Sequence, residues 1–189
     1  MGTYMKKVIV LAVSLAGYAS LGAANAASTG TIQFVGEITG ATCNATVNGT
    51  SNATVTLPTV SNSQLKTAGN TAGKTSFTIE LSDCTALATM TQGSAFFESG
   101  TSVNIATGRL KNTAPTNAAS NVTLQLRDAS SDKAIKVGDS SQTTSNTYVN
   151  LPTSAGGKAQ LHYTVGYYAE KAVTAGKVKS SVVYSIQYK

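Results

Sequence analysis

Charge is scarce in this chain. Only 12% of its 189 residues are Asp, Glu, Lys or Arg. It has a single histidine, His162, and two cysteines, Cys43 and Cys84. Each shortage removes a class of function. Two cysteines and one histidine cannot complete a four-ligand zinc site without carboxylates, and no ligand spacing is present. There is no Ser-His-Asp pattern and no glycine-rich phosphate loop, so the residues form no catalytic constellation. No enzyme activity and no cofactor are expected. The lysines are scattered rather than grouped with stacking aromatics, which argues against nucleic-acid binding. Helix signals are nearly absent. Beyond residue 26 no stretch is long and apolar enough to span a bilayer, which takes about 20 residues.

The first 26 residues read as a secretory signal peptide. Lys6 and Lys7 precede an apolar run from Val8 to Leu21, and Ala24-Asn25-Ala26 is a small-x-small cleavage site. Losing the leader lowers the formal net charge of +6 by two. An export signal and one cysteine pair predict a Cys43–Cys84 disulfide formed in an oxidising compartment. Ser, Thr, Asn and Gly supply most polar positions. A surface with few charges to desolvate suits packing against identical copies. Sequons at Asn44, Asn48, Asn52 and Asn121 reflect this Thr- and Asn-rich composition.

Period-two alternation marks many short strands. They are expected over 53–57, 75–81, 94–97, 103–105, 122–127, 134–137, 148–151, 160–168 and 178–188. Clusters of Gly, Asn, Ser and Asp separate them. Two long loops, 58–74 and 108–121, interrupt the series, the first with room for a helical turn near Ser63–Lys66. This spacing predicts an all-β sandwich in one domain. His162 falls in an alternating segment and reads as an ordinary sheet residue.

Both ends carry a well-patterned strand. At the N-terminal end, Ile32, Phe34, Gly36 and Ile38 share one face. At the C-terminal end, Val178, Val182, Tyr184, Ile186 and Tyr188 share one face, with Ser180 among them. From patterning alone, the two strands either pair and close the sandwich or are left for another chain.

Four marks resemble a known family. Gly30-Thr31-Ile32-Gln33-Phe34-Val35-Gly36-Glu37-Ile38 precedes Ala41-Thr42-Cys43. Phe77-Thr78-Ile79-Glu80-Leu81-Ser82-Asp83-Cys84 ends an alternating strand on a cysteine. Tyr167 to Val178 leads into the last strand. Gly176 stands fourteenth from the end and Tyr188 next to last. In this order, behind a leader, they resemble the major pilins of the chaperone–usher pathway, the type 1-like fimbrial subunits of Gram-negative bacteria. Gly166, where that family often has alanine, and Ala45, where valine is commoner, depart from its pattern.

The resemblance implies an immunoglobulin-like sandwich that lacks one strand and is completed by a donated one. Residues 1–26 would be the leader, 27–39 the donor extension, and 40–189 the pilin domain. The groove edge would be the C-terminal strand with Gly176, Val178, Val182, Tyr184, Ile186 and Tyr188. The donor would plug the groove of a neighbouring copy with Ile32, Phe34, Gly36 and Ile38. The implied partners are further copies, a periplasmic chaperone, an outer-membrane usher, and minor pilins or a tip adhesin. The implied location is a cell-surface fimbria reached through the periplasm. A minor or adaptor subunit is the alternative, and a receptor-binding adhesin a more distant one, because the chain has room for one domain only.

Overall fold

The computed structural model describes residues 31–85, 87 and 89–189. The leader expected over 1–26 and the first residues of the extension lie outside the described residues. Residues 31–37 belong to a part separate from 38–189. They carry no strand and are exposed.

Residues 38–189 build two antiparallel sheets. The strands are β1 (Thr42–Val47), β2 (Thr71–Thr85), β3 (Gln92–Phe97), β4 (Val103–Asn104), β5 (Arg109–Lys111), β6 (Val122–Asp128), β7 (Val149–Asn150), β8 (Lys158–Ala169) and β9 (Tyr184–Tyr188). The larger sheet has the order β1-β2-β8-β6-β5-β4 and the smaller β7-β3-β9. The β2–β8 ladder is the spine. It pairs Phe77 with Tyr163, Ile79 with Leu161 and Leu81 with Ala159. Alternation does the sorting: these apolar residues are buried, while Glu80 and His162 face outward. The exposed His162 ring meets the Thr78 hydroxyl at 3.2 Å, an ordinary cross-strand contact.

One core joins the sheets. Phe77, Ile79, Leu126, Tyr163 and Val165 of the larger sheet pack with Ala95 and Phe97 of the smaller. Phe97 stands edge-on to Tyr163 at 5.0 Å between ring centroids, a favoured aromatic geometry. The Tyr163 hydroxyl accepts from the Ala95 N–H at 3.2 Å. Its phenol is thus buried but partnered, and burial pushes its pKa up.

The disulfide expected from the sequence forms. Cys43 and Cys84 are bonded across a separation of 41 residues, tying β1 to the end of β2. Closing a loop of that length stabilises the fold by about 4 kcal/mol in the chain-entropy model.

Several elements differ from the sequence expectation. Residues 53–57 form no strand, and of 178–188 only β9 is laddered. Residues 134–137 make a single bridge, Ala134 to Arg127, although Ile135 and Val137 are buried. The long loop 108–121 contains β5, and the expected helical turn is a 3-10 turn over Asn62–Leu65. A four-residue helix, α1 (Gln142–Ser145), has no amphipathic period long enough to read in advance. Gly166 lies beneath a bulge between Ala72 and Thr75 of β2. A Cβ there would stand 3.2 Å from the Ala72 oxygen, which gives this departure from the alanine pattern a steric reason.

Two polar anchors hold the loops. The first is Asp128 at the end of β6. Its carboxylate accepts from the N–H groups of Ser130 at 2.9 Å, Ser131 at 3.1 Å and Thr147 at 2.7 Å. Burial opposes its charge, but the Thr147, Ser131 and Ser130 donors outweigh it and hold the pKa below the usual carboxylate value. The second is Asn112. Its Nδ2 donates to the Ala119 and Lys177 carbonyls, both at 2.9 Å, and its Oδ1 accepts from the N–H of Lys179 at 3.0 Å. Gly176 lets these segments meet, since a Cβ there would lie 2.4 Å from the Ala119 nitrogen.

Two predictions follow from these anchors. Asp128 has a depressed folded-state pKa, so its stabilisation is present above the unfolded pKa of about 3.9 and is lost as pH falls through the folded value. Asp128→Asn lowers stability at pH 7 by about 2 kcal/mol, and the loss shrinks in acid. Urea midpoints from pH 7 to pH 2 measure this, and an unchanged gap at low pH refutes it. Gly176→Ala overpacks a main-chain contact and costs about 1–3 kcal/mol. Gly100→Ala, with nothing within 4 Å of the new methyl, serves as the control in the same unfolding experiment.

Candidate functional site

The smaller sheet is unfinished on one side. β9 pairs with β3 from Tyr184↔Phe97 to Tyr188↔Gly93, and no described strand lies on its other edge. An apolar groove of about 1000 Å³ opens there. One wall is the segment 51–57 and the other is 178–186, with Phe77, Ile79, Phe97, Leu126 and Val165 beneath. Core residues of both sheets therefore floor an open channel.

Both walls are segments that the sequence marks as strands but that lack a full ladder. Ala53, Val55 and Leu57 are half-buried while Thr54 and Thr56 are exposed. That is the signature of a strand with one wet face. A tight turn at Asn48-Gly49, with φ of 46° and 84°, closes on reciprocal bonds between Val47 and Thr50 and leads the chain to this wall. Among the described residues the main chain of 53–57 has no hydrogen-bond partner. On the far wall, Val178, Ser180 and Val182 are half-buried and 177, 179, 181 and 183 exposed. The Ser180 Oγ is shielded from solvent and makes no hydrogen bond.

The structure brings most of the expected edge residues together. Val178, Val182, Tyr184 and Ile186 line the groove. Gly176 and Tyr188 flank it instead. Gly176 sits in the Asn112 anchor. The Tyr188 hydroxyl accepts from the Cys43 N–H at 3.0 Å, joining the last strand to β1 beside the disulfide. Burial pushes the Tyr184 phenol up. Residues 51–57 and the buried Ser180 hydroxyl are the site features that sequence reasoning missed. The alternation at 53–57 was visible, but which element it faces was not.

The opposite edge of β3 is closed. β7 covers only Gln92 and Gly93. Beyond it, side chains replace a strand. The Asn146 Nδ2 donates to the Ala95 carbonyl at 3.0 Å. The Gln142 Oε1 accepts from the Phe97 N–H at 2.9 Å, and its Nε2 donates to the Phe97 carbonyl at 3.0 Å. Gln142 is fully buried, so these amides are protected from water. Within the smaller sheet, the β9 edge is the one with no strand beside it among the described residues.

The N-terminal candidates are exposed. Ile32 is 77% and Phe34 91% exposed, Ile38 fully so, and nothing lies within 4 Å of a Cβ on Gly36. Ile32, Phe34 and Ile38 are thus exposed apolar side chains at alternating positions, the kind of surface feature that marks an interaction site.

Known proteins give this geometry a family. The family model for the type-1 fimbrial protein, A (FimA) matches residues 57–189. The major fimbrial subunit SMF-1 of Stenotrophomonas maltophilia is 43% identical over 88% of this chain and 95% of its own. The F17 fimbrial protein of Escherichia coli is 38% identical over 90% of this chain and 93% of its own. Among solved structures, the P pilus rod subunit PapA superposes with a TM-score of 0.54 at 19% identity, covering 78% of this chain and 99% of that one. A subunit of a chaperone–usher pilus gives 0.54 at 20% identity, covering 86% and 97%. At such identity these two show the fold, the immunoglobulin-like sandwich of pilus subunits. By the family model and by identity along most of its length, the chain belongs to the type-1 fimbrial proteins, the structural subunits of fimbriae.

Proposed function

We propose that this fimbrial subunit polymerises head to tail by donor-strand exchange, residues 27–39 of one copy filling the groove of the next. The observation that carries this is the pairing of two incomplete features. One is a groove whose walls have unpaired main chain. The other is an exposed period-two segment with three large apolar side chains. Strand addition satisfies both at once, with main-chain bonds for affinity and alternate pockets for specificity.

The energetics suit the scheme. Burying Ile32, Phe34 and Ile38 stabilises by about 1.5–3 kcal/mol each, on the order of 5–9 kcal/mol before ordering costs. The contact is heterologous and does not close on itself, so it generates an open filament. Residues 40–189 then act as the pilin domain. A free groove would expose core, so a periplasmic chaperone is the partner expected before assembly, and an outer-membrane usher, minor pilins or a tip adhesin at the surface. The role is structural rather than catalytic.

Gly36→Leu leaves the subunit fold unchanged, because no atom lies near that position within the subunit, and abolishes fibres. Removing residues 27–39 gives a subunit that accepts a strand but donates none, so it is recovered only as a chain terminator. Electron microscopy of cells and gel ladders of heat-resistant multimers read both outcomes. Normal fibres from either variant refute the scheme.

A further inference from the structure

We infer that the incoming strand docks in a single register, with Glu37 of one copy opposite Lys179 of the next. This rests on the donor-strand reading and goes beyond it by naming the residues that set the alignment.

Main-chain direction limits the choices first. Along the last segment the odd residues spend their polar groups on the side already occupied. The Lys177 N–H donates to the Asn117 carbonyl, the Lys179 carbonyl accepts from Thr113, and the Val183 carbonyl accepts from Glu98. Strand alternation then turns the N–H and C=O groups of residues 178, 180, 182, 184 and 186 toward the groove. The same residues point their side chains inward. An antiparallel donor, like every ladder within the two sheets, must place its inward residues opposite them. Ile32, Phe34, Gly36 and Ile38 therefore face even-numbered partners. A one-residue slip would turn every apolar side chain to water.

Charge and fit choose among the remaining two-residue steps. Glu37 is the one charged residue between 31 and 38. On the solvent face it can meet Lys177, Lys179, Ser181 or Val183, and opposite charges favour the first two. The Lys177 alignment would set Ile38 against Gly176, outside the groove lining. The Lys179 alignment sets Ile38, Gly36, Phe34 and Ile32 opposite Val178, Ser180, Val182 and Tyr184, all of which line it. It also gives Gly36 a chemical reason. Its partner is Ser180, whose Oγ is shielded and unpartnered. A side chain there would crowd a hydroxyl that already has no access to water. Glycine adds none.

In this register Glu37 and Lys179 form a non-hydrogen-bonded pair, with Cα atoms about 4.5 Å apart, within disulfide reach. Three double variants of the full chain are assembled and oxidised: E37C with K179C, E37C with K177C, and V35C with V183C. The first is expected to give a covalent ladder on non-reducing gels after boiling, and the other two none. A ladder from either other pair overturns the register while leaving donor-strand exchange intact. Fibres that ladder with no pair also overturn it. Charge reversal gives a readout without added cysteines. K179E lowers fibre yield several-fold, K179E with E37K restores it to within about twofold, and K177E alone stays within twofold. Failure of E37K to restore K179E overturns the pairing. Assembly of chains lacking residues 27–39 would overturn the donor-strand reading itself.

Discussion

An open edge above an apolar core is the constraint on which the rest of this structure depends. A sheet edge with free N–H and C=O groups is normally blunted, because any passing strand can pair with it. Here the edge along 178–186 is left free and apolar residues of both sheets floor the space beside it. An ordinary sandwich spends its own last strand on this position. At the N-terminal end, Ile32, Phe34 and Ile38 carry an apolar pattern of the same period and are exposed.

Keeping such a groove open requires rigid ends. At one end, the Cys43–Cys84 bond and the Tyr188 hydroxyl join β1, β2 and β9. At the other, the Asn112 amide and the close approach at Gly176 fix residues 177–179 against 117–119. Between these anchors the two walls line a groove of about 1000 Å³. Specific addition also needs the competing edge closed. Gln142 and Asn146 do this with side-chain amides that satisfy β3 at Ala95 and Phe97. A side-chain cap satisfies the same main-chain groups as a strand but offers no new ladder to extend.

The sequence made the larger sheet legible because its strands alternate cleanly and bury one face. Phe77-Ile79-Leu81 and Leu161-Tyr163-Val165 announce β2 and β8 by period alone, and the cysteine pair follows from composition and compartment. The same rule over-reads 53–57 and 178–183. Period two reports which face is apolar, not whether a partner strand is present, and at these segments the partner is the missing one. The side-chain anchors were not legible at all. Gln142, Asn146, Asn112 and Asp128 look like loop residues, and only the fold brings each to a main-chain group that lacks a partner. Of the expected edge residues, Val178, Val182, Tyr184 and Ile186 line the groove because their spacing matches the strand period. Gly176 and Tyr188 carry recognisable positions but serve the frame around it.

Filling the groove with another copy's strand has a kinetic consequence. The donated side chains would enter the core that Ile79, Phe97 and Leu126 already share. Release would then require separating the walls and re-exposing that core, so the barrier to dissociation approaches that of unfolding the subunit. Lifetime would be governed by an unfolding rate rather than by an interface affinity. The frame that holds the groove open before assembly would also resist its widening afterwards. The disulfide, Tyr188, Asn112 and Gly176 thus act on both sides of the event. They keep the site available to an incoming strand, and they make the strand hard to lose once it is in place.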